Sequence, residues 1–116
     1  MILNKEVLIC VTILFVAQIV IWFQLNGQVK WEWFKDNYFL MSLLGIPISY
    51  ALLYSTKYGV QGFGTLWPIR LMGFATGMIS FPVITYLVLG EGITLKTAIS
   101  IFLAVIIMLL QLIWLY

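Results

Sequence analysis

Long apolar runs broken by short polar segments set the pattern of this chain. The runs are Val7–Leu25, Tyr38–Tyr54, Leu66–Leu89 and Leu95–Tyr116. None alternates apolar and polar residues at period two, so the strands of a membrane barrel are not expected. At 1.5 Å per residue each run makes a helix of roughly 25–35 Å, enough to cross the hydrocarbon core of a bilayer. Lipid offers the backbone no hydrogen bonds, which again favours helices. The connections are too short for a soluble domain. The pattern therefore predicts an all-α integral membrane protein, with residues 1–116 forming one four-transmembrane-helix bundle.

Composition supports the pattern. Of 116 residues, 64% are hydrophobic and 9% charged, where soluble domains carry about a quarter. A small soluble core cannot hide that much apolar surface. The net charge of +2 is too small to suggest nucleic acid. Histidine is absent and Cys10 is the only cysteine, which excludes a His/Cys metal site and an intrachain disulfide. No cofactor is expected. Cys10 reads as a small apolar packing residue. Lys5 before an apolar run imitates a signal peptide, but the run continues through Leu25 and no small-residue cleavage site follows, so a retained helix is expected.

The connections add detail. Between Asn26 and Asn37, Trp31, Trp33 and Phe34 interleave with Lys30, Glu32, Lys35 and Asp36, a mixture suited to the headgroup layer. The segment STKYGVQGFGT, with its glycines, reads as a flexible turn. In the last connection Gly90 closes one helix and Thr94 caps the next, which leaves Glu91 in a hydrated turn. Tyr86, Trp114 and Tyr116 lie toward helix ends and read as interfacial anchors. The six Lys and Arg divide evenly, with Lys5, Lys57 and Arg70 on one side and Lys30, Lys35 and Lys96 on the other. The positive-inside rule then gives no orientation. Either the chain inserts both ways or a partner fixes its topology.

Within the runs, few residues carry chemistry. Gln18 lies near the middle of the first helix, on a stripe with Val11, Leu14 and Trp22. It is read either as interhelical glue, with the edge, or as a substrate-binding amide. Glutamine cannot exchange protons. Ser42, Gly45 and Ser49 share a face of the second helix, near Pro47. Gly73 and Gly77 form a small-xxx-small seam in the third, followed by Ser80 and Pro82. Both prolines should kink their helices. In the fourth helix Thr97, Ala104 and Gln111 form a stripe with Ile101 and Met108, read as a packing face. Arg70, after Trp67 and Pro68, opposes the helix dipole. It is read as snorkelling to headgroups or contacting a lipid phosphate.

Four short helices, a G-x-x-x-G in the third, and LVLGEGIT leading into a final apolar helix resemble the small multidrug resistance proteins. They are also similar to the last helices of the wider drug/metabolite transporter (EamA-like) superfamily. Gly90-Glu91 stand where that superfamily carries a "GE" pair, and Trp67 looks like the family's aromatic residue at its level. The likeness is in architecture over the whole length and in residues mainly from Tyr58 to Leu112. It implies a dimer, parallel or antiparallel, in the bacterial inner membrane. The family's proton-binding glutamate in the first helix has no counterpart here, since Gln18 occupies that region.

Two functions compete on this reading. One is a transporter-like homodimer or heterodimer that moves a small amphipathic or lipid-linked molecule, with Gln18, Trp67, Gly73 and Gly77 lining its cavity. The other is a non-transporting subunit of a larger membrane complex, docking through small-residue faces (Ser42, Gly45, Ser49, Ala104) and the aromatic first loop with Trp31 and Trp33, while Arg70 and Glu91 are read as interfacial. Membrane lipids and a protein partner are expected in either case. A membrane enzyme is not expected, because no nucleophile, acid/base or metal constellation is present.

Overall fold

The structure, a computed structural model, describes residues 4–113. The described residues are helical with no strand: α1 (Lys5–Asn26), a 3-10 turn (Gly27–Val29), α2 (Glu32–Asp36), α3 (Tyr38–Ser42), α4 (Gly45–Phe63), α5 (Trp67–Leu89) and α6 (Leu95–Ile113). Four segments are long and apolar enough to cross a membrane: Lys5–Val29, Tyr38–Phe63, Trp67–Leu89 and Leu95–Ile113. Trp114 and Tyr116 lie outside the described residues.

Each boundary has a local cause. The Asn4 side chain caps α1 by accepting the Val7 N–H at 2.9 Å, and it donates across to the Gly62 carbonyl at 3.1 Å. This ties the start of α1 to the end of α4. Gly64 (φ 85°) and Gly90 (φ 73°) close α4 and α5 in the left-handed conformation that glycine adopts without steric cost. The Thr94 hydroxyl accepts the Thr97 N–H at 3.3 Å and caps α6. Glu91 lies exposed in the irregular turn between them.

The second span differs from expectation at both ends. It runs on to Phe63, so most of the segment expected to be a glycine-rich turn is helix. Gly59 and Gly62 are sites of close packing there. A Cβ on Gly59 would stand 2.5 Å from Ile69 Cγ1 and 3.0 Å from Cys10 Sγ, and one on Gly62 would stand 2.8 Å from the Val7 backbone nitrogen. At its start, Pro47 falls in the first turn of α4 and does not interrupt a long helix. The Leu43 carbonyl, which a residue at 47 would otherwise bond, takes the Ile46 N–H at 3.1 Å in a tight turn between α3 and α4.

α1 is central. It packs against α4 on one side and α5 on the other, and α6 packs chiefly on α5. Leu112 reaches the core cluster of Val7, Cys10, Leu14, Phe63, Ile69 and Met72. The molecule measures 46 × 35 × 18 Å, so its helices form a slab. Ala104 of α6 is buried, and α6 packs chiefly on α5. On the second span the expected face is wrong. Ser42 and Ser49 are exposed, Ser42 bonds the Phe39 carbonyl of its own helix, and Gly45 has only Gln24 nearby. The face that packs is Met41, Ile48, Ser55, Gly59 and Phe63.

Candidate functional site

The slab carries a groove whose floor is α1. Leu14, Gln18 and Ile21 project from α1 between walls made by Leu52, Ser55 and Thr56 of α4 and by Ile69, Arg70, Gly73 and Phe74 of α5. This compartment holds about 550 Å³. A second, of about 420 Å³, continues along α1 and α5 past Trp22, Gly77, Met78 and Phe81. Gln18, Ile21, Gly73 and Phe74 border both. Gln18 therefore stands at the junction. Phe74, Phe81 and Leu66 on the rim are exposed, so the groove lies open along its length.

Helix geometry explains the placement. Leu14, Gln18, Ile21, Trp22 and Leu25 recur at three- and four-residue spacing and share one face of α1. Gly73 and Gly77 present the same spacing on α5, which runs parallel to α1. The absence of side chains there lets α1 approach. The Gln18 Nε2 donates to the Gly73 carbonyl at 3.1 Å. Thr76 Oγ1 donates to that same carbonyl at 3.0 Å, so Gly73 O is a shared acceptor on the helix surface. Gln18 makes no other hydrogen bond among the described residues. Its second N–H and its Oε1 remain for a ligand.

Further contacts hold the floor in place. Trp22 is buried and its Nε1 donates to Thr85 Oγ1 at 2.9 Å. Cys10 Sγ and Ser55 Oγ lie 3.4 Å apart across α1 and α4. Gln24 Nε2 donates to the Met41 carbonyl at 3.1 Å, fixing α3 on α1. These polar contacts join helices whose surroundings are otherwise apolar, where an unpaired polar group is costly.

Three of the cavity candidates, Gln18, Gly73 and Gly77, meet in the groove. Trp67 does not. It is 77% exposed at the start of α5 and lines neither compartment. Arg70, expected only at an interface, lines the larger compartment. Glu91 is at the opposite end of α5, away from the groove.

The aromatic connection packs on itself. Phe23 stacks with Trp31 at 6.2 Å between ring centroids, and Trp31 meets Phe34 at 5.5 Å. The Phe34 ring lies over Gly27, leaving no room for a side chain there. Lys30 Nζ reaches the Val88 carbonyl near the end of α5 at 2.9 Å, where a cation complements the helix dipole. Trp33 is exposed and meets Phe34 edge-on.

Sequence reasoning missed Phe74, Met78 and Phe81 as groove walls. Their four- and three-residue spacing along α5 was the available signal. No group of three or more His, Cys, Asp or Glu among the described residues could hold a metal ion. No family model, curated protein or solved structure matches this chain.

Proposed function

We propose that this chain is a multi-pass integral membrane protein of transporter type, which moves a small amphipathic or lipid-linked molecule and works as a dimer. The observation that carries this reading is the position of Gln18. A half-buried amide with unused hydrogen-bonding capacity lies midway along an apolar helix, at the junction of two connected compartments. Polar groups at such depth usually face protein partners or a transport path, and Gln18 bonds α5 while bordering the groove.

The groove suits an elongated guest with a polar end. Its walls are mostly aliphatic and aromatic, as small-molecule sites generally are, with a few placed polar groups to set orientation. Coupling to protons through the first helix has no support, because Gln18 does not titrate. The length and apolar character of the four segments support a membrane location. A bacterial inner membrane and membership of the small multidrug resistance or drug/metabolite transporter group rest on the sequence resemblance alone.

An accessory-subunit reading draws on one further observation. Beyond its contact with α5, α6 presents Phe102, Leu103, Ile106, Leu109 and Leu110 outward. Such a face suits either a second copy or a larger assembly.

Flux of a fluorescent short-chain amphiphile in proteoliposomes tests the transporter reading. Gln18→Ala is expected to abolish flux while leaving the fold intact. Undiminished flux in that variant removes the groove from the function, and recovery of the chain at fixed stoichiometry within a larger assembly, without flux, favours the subunit reading.

A further inference from the structure

The groove carries a charge of one sign. Arg70 is the only ionisable side chain among the described residues lining either compartment. It is exposed and has no hydrogen-bond or ion-pair partner among the described residues. The acids lie elsewhere: Glu6 in the first turn of α1, Glu32 and Asp36 in α2, and Glu91 beyond the end of α5. A cation near the start of α5 is opposed by the helix dipole. It also stands on a segment apolar enough to span a membrane, where such groups ordinarily pair or mark a ligand path.

The neighbouring polar groups leave Arg70 without an internal counter-charge. Thr56 Oγ1 donates to the Leu52 carbonyl at 2.9 Å, and Ser55 Oγ is engaged with Cys10. Gln18 is neutral and retains a free N–H. Of these groups Gln18 alone keeps an unused donor, and none carries negative charge. The planar guanidinium presents a fork of N–H groups that matches the oxygens of a phosphate bidentately. A cationic amphiphile in the same groove would place like charge against Arg70.

The polarity is also ordered in space. Arg70 marks the end of the groove nearest the start of α5, and the apolar compartment runs from Phe74 past Met78 to Phe81, deeper along the helix. We propose that the groove binds a phosphate-bearing anionic lipid of the surrounding leaflet, with its headgroup on Arg70 and Gln18 and one apolar chain laid along Phe74, Met78 and Phe81. This assignment rests on the transporter reading and gives that site a substrate class: amphipathic anions, not cations.

Native mass measurement of the full chain, released from vesicles of equal phosphatidylglycerol and phosphatidylcholine, tests it. The wild type is expected to retain phosphatidylglycerol preferentially. Arg70→Gln should reduce that preference about fivefold, the effect of one basic residue at a lipid surface. Arg70→Lys, which keeps the charge, should retain more of it than Arg70→Gln does, a comparison that separates loss of charge from loss of fold. Equal retention of the two lipids by the wild type, or an unchanged preference in Arg70→Gln, overturns the proposal. Displacement of the lipid by millimolar inorganic phosphate overturns it as well, since the site would then recognise a soluble anion. The two readings fail separately. Retention that depends on Arg70 with flux indifferent to Gln18 defeats transport alone, and flux that needs Gln18 with retention indifferent to Arg70 defeats the headgroup assignment alone.

Discussion

The Gln18 amide occupies the space that Gly77 leaves empty. A Cβ at Gly77 would stand 3.1 Å from both Cδ and Oε1 of Gln18, while the Gln18 Nε2 holds the Gly73 carbonyl one turn earlier. Gly77→Ala is therefore expected to push the amide off its bond and lower flux, with a small effect on folding. Gly73→Ala meets only Leu14 Cδ2 at 3.8 Å, an ordinary contact, and should keep more activity. Proteoliposome flux measured on both variants checks the order, and the reverse order refutes it.

Packing of α1 on α4 depends on glycine. Gly59→Ala drives a methyl group into Ile69 and Cys10, and Gly62→Ala drives one into the Val7 backbone. Each is expected to destabilise the protein by about 1–3 kcal/mol, the usual cost of overpacking. Gly92→Ala, with nothing within 4 Å, is the control. Reversible unfolding in mixed micelles gives the comparison, and equal stability of all three variants would contradict the packing argument.

The buried bond from Trp22 to Thr85 links the floor of the groove to α5. Trp22→Phe is expected to cost about 0.6–1.7 kcal/mol for the lost interhelical bond, apart from lost packing. A double-mutant cycle with Thr85→Val isolates that coupling. A coupling energy of zero would mean that the bond contributes nothing to stability.

Glu91 is exposed in a turn and borders neither compartment. Glu91→Gln should leave flux and its pH profile unchanged. Loss of flux with a flattened pH profile would restore this carboxylate to a proton-carrying role.

The even division of basic residues bears on orientation. Paired C-terminal reporters, one active only in the cytoplasm and one only after export, are expected to show both activities in cells if no partner fixes the topology. A single active reporter favours partner-directed insertion.

Much of this was legible in the chain. The continuous apolar runs give four helical segments long and apolar enough to cross a membrane, and Gly90 and Thr94 mark helix ends through local capping chemistry. Gly73 and Gly77 share helical spacing and mark a close-approach face of α5, and Gln18 marks the polar position of α1; that the two meet comes from the structure. The continuation of α4 through Lys57, Gly59 and Gly62 was not. Local propensity marks those glycines as a turn, and the contacts that make them helix-packing sites come from Val7, Cys10 and Ile69, distant in sequence. The packing face of the second span was misread for a related reason. Small residues permit close approach but do not specify which neighbour approaches, and Ser42 and Ser49 turned outward while Ser55 turned in. Arg70 lines the groove and Trp67 does not, although three positions on a helix lie only about 60° apart around its axis; Trp67 is the first residue of α5 and stands one turn further out.

A slab 18 Å thick has little room for an enclosed chamber. Its groove opens along the flank, with Phe74 and Phe81 exposed on the α5 rim, so a guest seated there still touches whatever surrounds the protein. Entry and exit are then sideways steps between neighbours in a crowd, and the competitor for the seat is the solvent itself.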